Sequence, residues 1–189
     1  TKLKKESGIV VIFLGDGSAE EGSFYETVNL AGLYNLPLLI VIEDNRYAVE
    51  ADHKIRKVKG YNFKKILGEG FKSIYRRVDG QNFVKVLNTT VELRNKIIKQ
   101  KKIGVLHLDC IRFAKHSGPN ISLDDQRSKY RKQNEYLEIK KRDPILILKS
   151  IMIKNGFCCK KLSIFEKKIN ERCQHNFYKT FKKIKIRKI

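Results

Sequence analysis

Apolar and polar residues alternate in blocks along the chain, and the lengths of the blocks predict strands and helices in turn. Residues 8–14 form a continuous apolar, β-branched run, which is typical of a strand buried on both faces. Apolar residues at helical spacing follow up to Asn35, and Leu36-Pro37 separates them from a second apolar run at 38–42. The pattern predicts a strand–helix–strand unit with parallel strands.

The same alternation continues to about residue 111. Residues 46–61 look irregular, and 63–67 has the pattern of a short helix. Residues 73–78 and 104–111 are typical of two further strands, and Asn82 is a suitable N-cap for a helix between them. The order predicts an α/β fold, with a doubly wound, mostly parallel sheet and flanking helices.

The C-terminal part has a helical pattern. Charged residues at 124–142 predict a surface helix, and Asp143-Pro144 predicts the start of another helix. Residues 162–182 have the pattern of a basic amphipathic helix. We therefore divide the chain into an α/β domain at residues 1–155 and a basic helical extension at 156–189.

Charge is distributed unevenly. The chain has a net charge of +21, yet residues 1–53 contain 4 basic and 9 acidic residues. The other residues carry 37 basic and 11 acidic ones, spread over their whole length. This spread favours a lysine-rich solvated surface and non-specific affinity for polyanions. A basic module that binds nucleic acid stays open as an alternative function.

Cysteine usage and hydropathy bear on location. The four cysteines form no CxxC pair and no zinc-ligand pattern, and Cys110 lies in an apolar segment, where we expect a buried, reduced thiol. No apolar run approaches the ~20 residues of a spanning helix, and residues 1–5 lack the apolar segment of a signal peptide. We expect a cytoplasmic protein without membrane association.

Polar residues follow three of the predicted strands. Asp16 comes directly after the first strand, Asn45 follows the second, and Arg112 and His116 follow the fourth. Ligands of open α/β sheets bind beyond the carboxyl ends of the strands, where the strand order reverses. Carboxylate and amide oxygens suit Mg²⁺ or Ca²⁺, which take further ligands from phosphates. The residues therefore predict a divalent metal and a diphosphate at this edge.

The turn after the first strand supports the phosphate prediction. Gly17 and Ser18 lie just before a helix, so their N–H groups can meet a phosphate. Arg112 and His116 can neutralise the same diphosphate from the other side. Each residue alone has an ordinary explanation, since a Gly-Asp-Gly tripeptide is most often a turn and a single histidine is usually structural. Their joint position at strand ends favours function.

These residues resemble a known family. Gly15-Asp16-Gly17 followed by Asp44-Asn45 looks like the thiamine-diphosphate motif. The whole string at 15–49, GDGSAEEGSFYETVNLAGLYNLPLLIVIEDNRYAV, resembles the alpha subunit of the 2-oxo acid dehydrogenases for pyruvate, branched-chain 2-oxo acids and acetoin. The likeness continues through Arg77-Val78-Asp79-Gly80, the segment 112–117 and the segment 142–145.

The resemblance implies a role for each residue. Asp16 and the Asn45 side chain are implied as Mg²⁺ ligands, with the backbone carbonyl of Tyr47 as a third. Gly17 and Ser18 are implied to contact the diphosphate through their backbone. Arg112 and His116 are implied to bind the diphosphate side of the cofactor, His116 also lining the active site as the catalytic candidate. Ser117 corresponds to a loop serine of the family.

The implied reaction is oxidative decarboxylation of a 2-oxo acid. The implied partners are a beta subunit, in an α2β2 heterotetramer, and a lipoyl-bearing acyltransferase. The beta subunit supplies the glutamate that activates the cofactor, so we expect no activity from this chain alone. Only seven residues precede Gly8, whereas the family has a long segment there. We expect a C-terminal portion of such a subunit, or a chain complemented by a separate N-terminal half.

Some positions depart from the family. Ala114 stands where a second histidine is common, and Gly118-Pro119-Asn120 replaces a frequent Asp-Pro pair. These departures leave the geometry of the histidine loop open. A truncated, catalytically incompetent subunit that binds no cofactor is therefore a second interpretation, with the same fold.

Overall fold

The computed structural model divides the chain into two compact units, Thr1–Pro144 and Ile145–Ile189. The sequence predicted a domain boundary at 155/156, and that boundary stays a prediction. The residues whose structure is described are 8–113, 116–117, 131, 135, 139 and 141–183. The predicted histidine-loop segment 118–120 and most of the predicted surface helix at 124–142 lie outside these residues.

The first unit contains six described strands: β1 (Val10–Gly15), β2 (Leu38–Asp44), β3 (Tyr47–Ala48), β4 (Ala51–Asp52), β5 (Ile74–Asp79) and β6 (Gly104–Asp109). Four of them form a parallel sheet in the order β1-β2-β6-β5. The strands β3 and β4 form a small antiparallel hairpin. The prediction of irregular structure at 46–61 was wrong here, because two-residue strands are too short to show a hydrophobic period.

The described helices of this unit are α1 (Gly22–Leu33), α2 (His53–Arg56) and α3 (Phe83–Gln100), with a 3₁₀ turn at Ser18–Glu20 and a π-helix at Lys64–Gly70. The predicted cap of α3 is confirmed, since the Asn82 side chain accepts a hydrogen bond from Lys85 N at 3.1 Å. This bond satisfies one of the amide groups that a helix N-terminus leaves without a partner.

Helices cover the sheet on both faces. Alternate residues of β2 belong to two separate apolar cores, because successive side chains of a strand point to opposite faces. One core joins Ile40 and Ile42 to α1 and the π-helix. The other joins Leu39 and Val41 to α3. The predicted doubly wound α/β fold is confirmed.

The first strand differs from its prediction. We predicted a strand buried on both faces, but β1 is an edge strand of the described sheet and pairs only with β2. Its side chains are correspondingly open, and Phe13 is 68% exposed. The apolar run does identify the strand, but an apolar run cannot reveal the position of a strand in the sheet.

The described residues of the second unit are mostly helical. The helix α4 (Pro144–Lys154) begins at the predicted proline, and α5 (Cys159–Lys183) covers the predicted basic helix. Within the unit Lys149 donates to the Glu166 carboxylate at 2.9 Å. No described helix of the chain is long and apolar enough to cross a membrane.

Candidate functional site

The carboxyl ends of β2 and β6 enclose a crevice. Asp44 and Asp109 are register partners at the two strand ends. The connection between β1 and β2 runs through α1 on one face, and the connection between β5 and β6 runs through α3 on the other. The strand order therefore reverses between β2 and β6, where open α/β sheets bind their ligands.

A cavity of ≈ 240 Å³ lies at this point. Three of the predicted site residues line it, namely Asn45, Tyr47 and Arg112. Cys110 lines it too, and its thiol is half-buried rather than fully buried as we predicted. All four cysteines are free thiols, and for Cys110 this was the prediction.

The turn after β2 is held by side chains of the turn itself. Asp44 Oδ1 accepts from Arg46 N at 2.9 Å, and Asn45 Oδ1 accepts from Tyr47 N at 3.0 Å. Arg46 has a left-handed backbone with φ of 69°. These two consecutive turns stabilise a conformation that a residue with a Cβ rarely adopts. They leave the second lone pair of the Asn45 amide oxygen for a ligand.

Tyr47 is buried beneath this turn. Its hydroxyl donates to the Glu135 carboxylate at 2.9 Å, and the guanidinium of Arg131 lies 5.4 Å from the centre of its ring. Burial, followed by the hydrogen bond to Glu135, raises the pKa of Tyr47 to about 12. The phenol is therefore neutral and fixed, which holds the backbone of the turn in place.

Asp16 is 1% exposed and does not line the cavity. Its Oδ2 accepts from the Arg56 guanidinium at 2.6 Å, and Lys57 Nζ lies 3.8 Å away. Arg56 and Lys57 both reach Glu20 as well, at 2.5 and 3.2 Å. Burial opposes the charge of Arg56, but the hydrogen bonds to Asp16 and Glu20 raise its pKa above the usual value. Two acids and two bases thus form a balanced cluster.

The second oxygen of Asp16 has a different environment. Oδ1 is buried and has no hydrogen-bond partner among the described residues. A buried acceptor without a partner is costly and calls for an explanation. A bound cation is one such partner, because a carboxylate oxygen is a preferred ligand of Mg²⁺. Oδ1 of Asp16 is therefore suited to bind the predicted metal. Its Oδ2 is already paired with the positively charged Arg56, which opposes a cation at that oxygen.

Gly17 lies against the hairpin. A Cβ built at Gly17 would lie 2.6 Å from the Cβ of Ala48, so a side chain there does not fit without movement. Ser18 is exposed and begins the 3₁₀ turn rather than a regular helix. The backbone of Gly17 is therefore close to Ala48 of the hairpin, although neither Gly17 nor Ser18 lines the cavity.

Arg112 and His116, both predicted to bind the diphosphate, contact each other. Arg112 Nη1 donates to Nδ1 of His116 at 3.2 Å, and Arg112 Nη2 donates to the carbonyl of Val49 at 2.7 Å. His116 and Ser117 are exposed. Because Nδ1 accepts, the proton of a neutral His116 is on Nε2, which then faces outward as a donor.

The hairpin and the helix after it connect these positions. Ala48 touches Gly17, Val49 accepts from Arg112, and Arg56 holds Asp16. The segment from 47 to 56 thus contacts the turns after all three strands that were predicted to carry the site. Asn45, Tyr47 and Arg112 share one cavity, whereas Asp16 does not line it and is paired with Arg56 and Lys57.

Sequence reasoning missed two groups of residues. Arg56 and Lys57 gave no signal, since a basic pair in a lysine-rich chain is not distinctive. The second group is a buried hydrogen-bonded set formed by Asp44, His107 and Tyr75. Here a signal exists, because His107 is the polar residue within an apolar strand run.

The chain is similar to proteins of known family. A family model described as "Dehydrogenase E1 component" matches residues 1–187. Pyruvate dehydrogenase E1 component subunit alpha of Staphylococcus epidermidis is 26% identical over 155 residues, and that of Staphylococcus aureus is 25% identical over the same length. Each alignment covers 82% of this chain, and the chain spans 40% of the length of these relatives.

A solved structure has a similar fold. It is a transketolase mutant from Pichia stipitis in complex with xylulose 5-phosphate, with a TM-score of 0.50 and 17% sequence identity. The match covers 71% of this chain and 22% of that chain. At this identity the likeness concerns the fold alone.

Proposed function

Because the chain belongs to the dehydrogenase E1 component family, we propose that it takes part in oxidative decarboxylation of a 2-oxo acid such as pyruvate, with thiamine diphosphate as cofactor. Its part is that of the alpha subunit, which anchors the diphosphate. The observation that carries this proposal is the cavity between β2 and β6, because Asn45, Tyr47 and Arg112 meet there at the reversal of strand order.

The metal of the proposed site is Mg²⁺. Its protein ligands are Asp16 through the carboxylate, Asn45 through the amide oxygen and Tyr47 through the backbone carbonyl. Oδ1 of Asp16, which is buried and has no hydrogen-bond partner in the part of the chain that the structure describes, supports this set. No group of three or more His, Cys, Asp or Glu side chains suited to a metal occurs among the described residues. The proposed set contains one carboxylate only and takes its other oxygens from an amide and the backbone.

The diphosphate is proposed to lie between the turn after β1 and the loop after β6. Gly17 and Ser18 contact it through backbone N–H groups, and the close approach of Gly17 to Ala48 supports a tight turn there. Arg112 supplies a guanidinium that cannot be deprotonated. His116 is placed by Arg112 so that its Nε2–H donates towards an anionic oxygen, which is the role proposed for it in catalysis.

The cofactor, when bound, supplies the carbanion chemistry of decarboxylation, and the protein supplies binding, orientation and charge. We propose a beta subunit in an α2β2 assembly and a lipoyl-bearing acyltransferase as partners, and the cytoplasm as location. The rival interpretation is a catalytically incompetent fragment. The ion pair between Arg56 and Asp16 gives that rival a physical basis, because it occupies one oxygen of the proposed metal ligand.

The test is calorimetric titration of thiamine diphosphate with Mg²⁺ into the chain assembled with its beta subunit. We expect Asn45→Ala to weaken binding by about tenfold or more, because it removes one of three protein ligands. Asn95→Ala, which changes an exposed asparagine of α3, is the matched control and leaves binding unchanged. Equal affinity for the Asn45→Ala variant contradicts the ligand assignment, and no binding by the parent assembly favours the incompetent fragment.

A further inference from the structure

A histidine is buried next to the proposed metal turn. His107 is 3% exposed, on the central strand β6. Its Nε2 lies 2.9 Å from Oδ2 of Asp44, and its Nδ1 is hydrogen-bonded to the hydroxyl of Tyr75. The ring of Phe63 meets the imidazole edge to face, with centroids 5.3 Å apart. The imidazole is thus held on three sides and cannot turn away from Asp44.

The direction of these hydrogen bonds follows from the groups themselves. An ionised Asp44 carboxylate can only accept, so Nε2 of His107 donates to it. The Tyr75 hydroxyl is hydrogen-bonded to Nδ1, so both ring nitrogens of His107 have a partner.

Asp44 connects His107 to the turn after β2. One of its carboxylate oxygens receives His107, and the other receives the backbone N–H of Arg46. The hydrogen bond from His107 to Oδ2 fixes the plane of the Asp44 carboxylate. This plane determines where Oδ1 accepts from the Arg46 N–H group. Arg46 has the left-handed backbone, and it stands between Asn45 and Tyr47. A strained residue of this kind keeps its conformation only when its surroundings hold it.

We propose that His107 is a positioning residue for the metal site. It orients the Asp44 carboxylate, which holds the Arg46 amide and thereby directs the Asn45 side chain and the Tyr47 carbonyl to one point. Hydrogen bonds behind metal ligands commonly have this role and affect metal affinity strongly. The inference rests on the proposed function for its metal, but the order of the turn can be measured without one.

The first measurement is hydrogen exchange of the full chain without metal or cofactor. We expect His107→Leu to speed exchange of the Arg46 and Tyr47 amides roughly tenfold relative to the amide of Val86 in α3. His107→Gln keeps a nitrogen donor near the position of Nε2, and we expect it to restore slow exchange. Equal acceleration at all these amides would mean a loss of stability without positioning, and would overturn the proposal.

The second measurement is Mn²⁺ affinity by electron paramagnetic resonance, with thiamine diphosphate and the beta subunit present. We expect His107→Leu to weaken Mn²⁺ binding about tenfold or more, with recovery in His107→Gln. Unchanged Mn²⁺ affinity in His107→Leu overturns the proposal. If the parent assembly binds no Mn²⁺, the proposed function fails, and hydrogen exchange still decides the role of His107.

A folding defect in His107→Leu does not block the test. Asp44→Ala removes both acceptor oxygens from a side chain that lines the cavity. We expect it to speed exchange of the Arg46 amide in the same selective way. Slow exchange of the Arg46 amide in Asp44→Ala refutes the proposal.

Discussion

Replacement of Asp16 by asparagine tests the ion cluster directly. The substitution keeps the shape of the side chain but removes a charge that is 1% exposed and lies 2.6 Å from the Arg56 guanidinium. Two unit charges about 4 Å apart attract by about 4 kcal/mol at an effective dielectric constant of about 20. Arg56 keeps Glu20 as a partner, and the neutral amide is less costly to bury. We therefore expect a loss of about 2 kcal/mol in the free energy of unfolding.

The assay is urea unfolding followed by far-UV circular dichroism, since the chain has no tryptophan. With a slope of roughly 2 kcal/mol per molar urea, the midpoint should fall by about 1 M. Glu92→Gln is the matched control. Glu92 also pairs with two bases, Arg76 and Lys96, but its side chain is 40% exposed. Exposed pairs contribute less than about 1 kcal/mol, so this variant should shift the midpoint little.

The double variant Asp16→Asn/Arg56→Gln completes the test. We expect its loss of stability to be smaller than the sum of the two single losses, by roughly 1–2 kcal/mol, because both changes remove the same interaction. If the losses add, or if Asp16→Asn and the Glu92→Gln control shift the midpoint equally, the argument that Asp16 stabilises the fold through Arg56 is wrong.

Two further predictions concern the sheet. Gly104→Ala should cost about 1–3 kcal/mol in urea unfolding, because its Cβ would lie 2.5 Å from Cδ1 of Ile97, whereas Gly22→Ala, with open space around it, should cost nothing. Equal costs would contradict this packing. Burial, with nearby carboxylates, raises the pKa of Cys110 to about 12, so a disulfide reagent at pH 8 should label the three exposed cysteines first. The stability from a neutral Cys110 is complete below pH 9, its unfolded pKa, and is lost as the pH rises towards 12. Mass spectrometry measures the labelling of each cysteine. If Cys110 is labelled as fast as the three exposed cysteines, the prediction is refuted.

Apolar runs and helical spacing predicted the large elements of this fold because elements of six or more residues are long enough to show such a pattern. The strands β2 and β6 follow directly from their apolar runs, and the cap of α3 follows from the residue type of Asn82. The position of β1 at the sheet edge could not be predicted, since strand order depends on how connections cross the sheet. The hairpin of β3 and β4 was missed because each strand has only two residues.

The candidate site, like the fold, could be predicted from the sequence only in part. Residues at strand ends could be identified, because the fold class fixes where the carboxyl ends of strands meet. The pairing of Asp16 with Arg56 could not, since it joins residues 40 positions apart through a hairpin that the pattern did not reveal. The sequence does show His107 as a polar residue in an apolar run. Its structural role follows only from its hydrogen bonds to Asp44 and Tyr75.

The open edge at β1 has a consequence for handling the protein. Among the described residues nothing pairs with the outer side of this strand. Its backbone N–H and C=O groups on that side can therefore form hydrogen bonds with another extended segment. Val10, Val11 and Phe13 make that edge apolar as well. An apolar edge without charges or proline is a template for strand addition between molecules. The chain by itself should therefore form sheet-extended aggregates as its concentration rises, and a charged residue at Phe13 is the simplest way to prevent it.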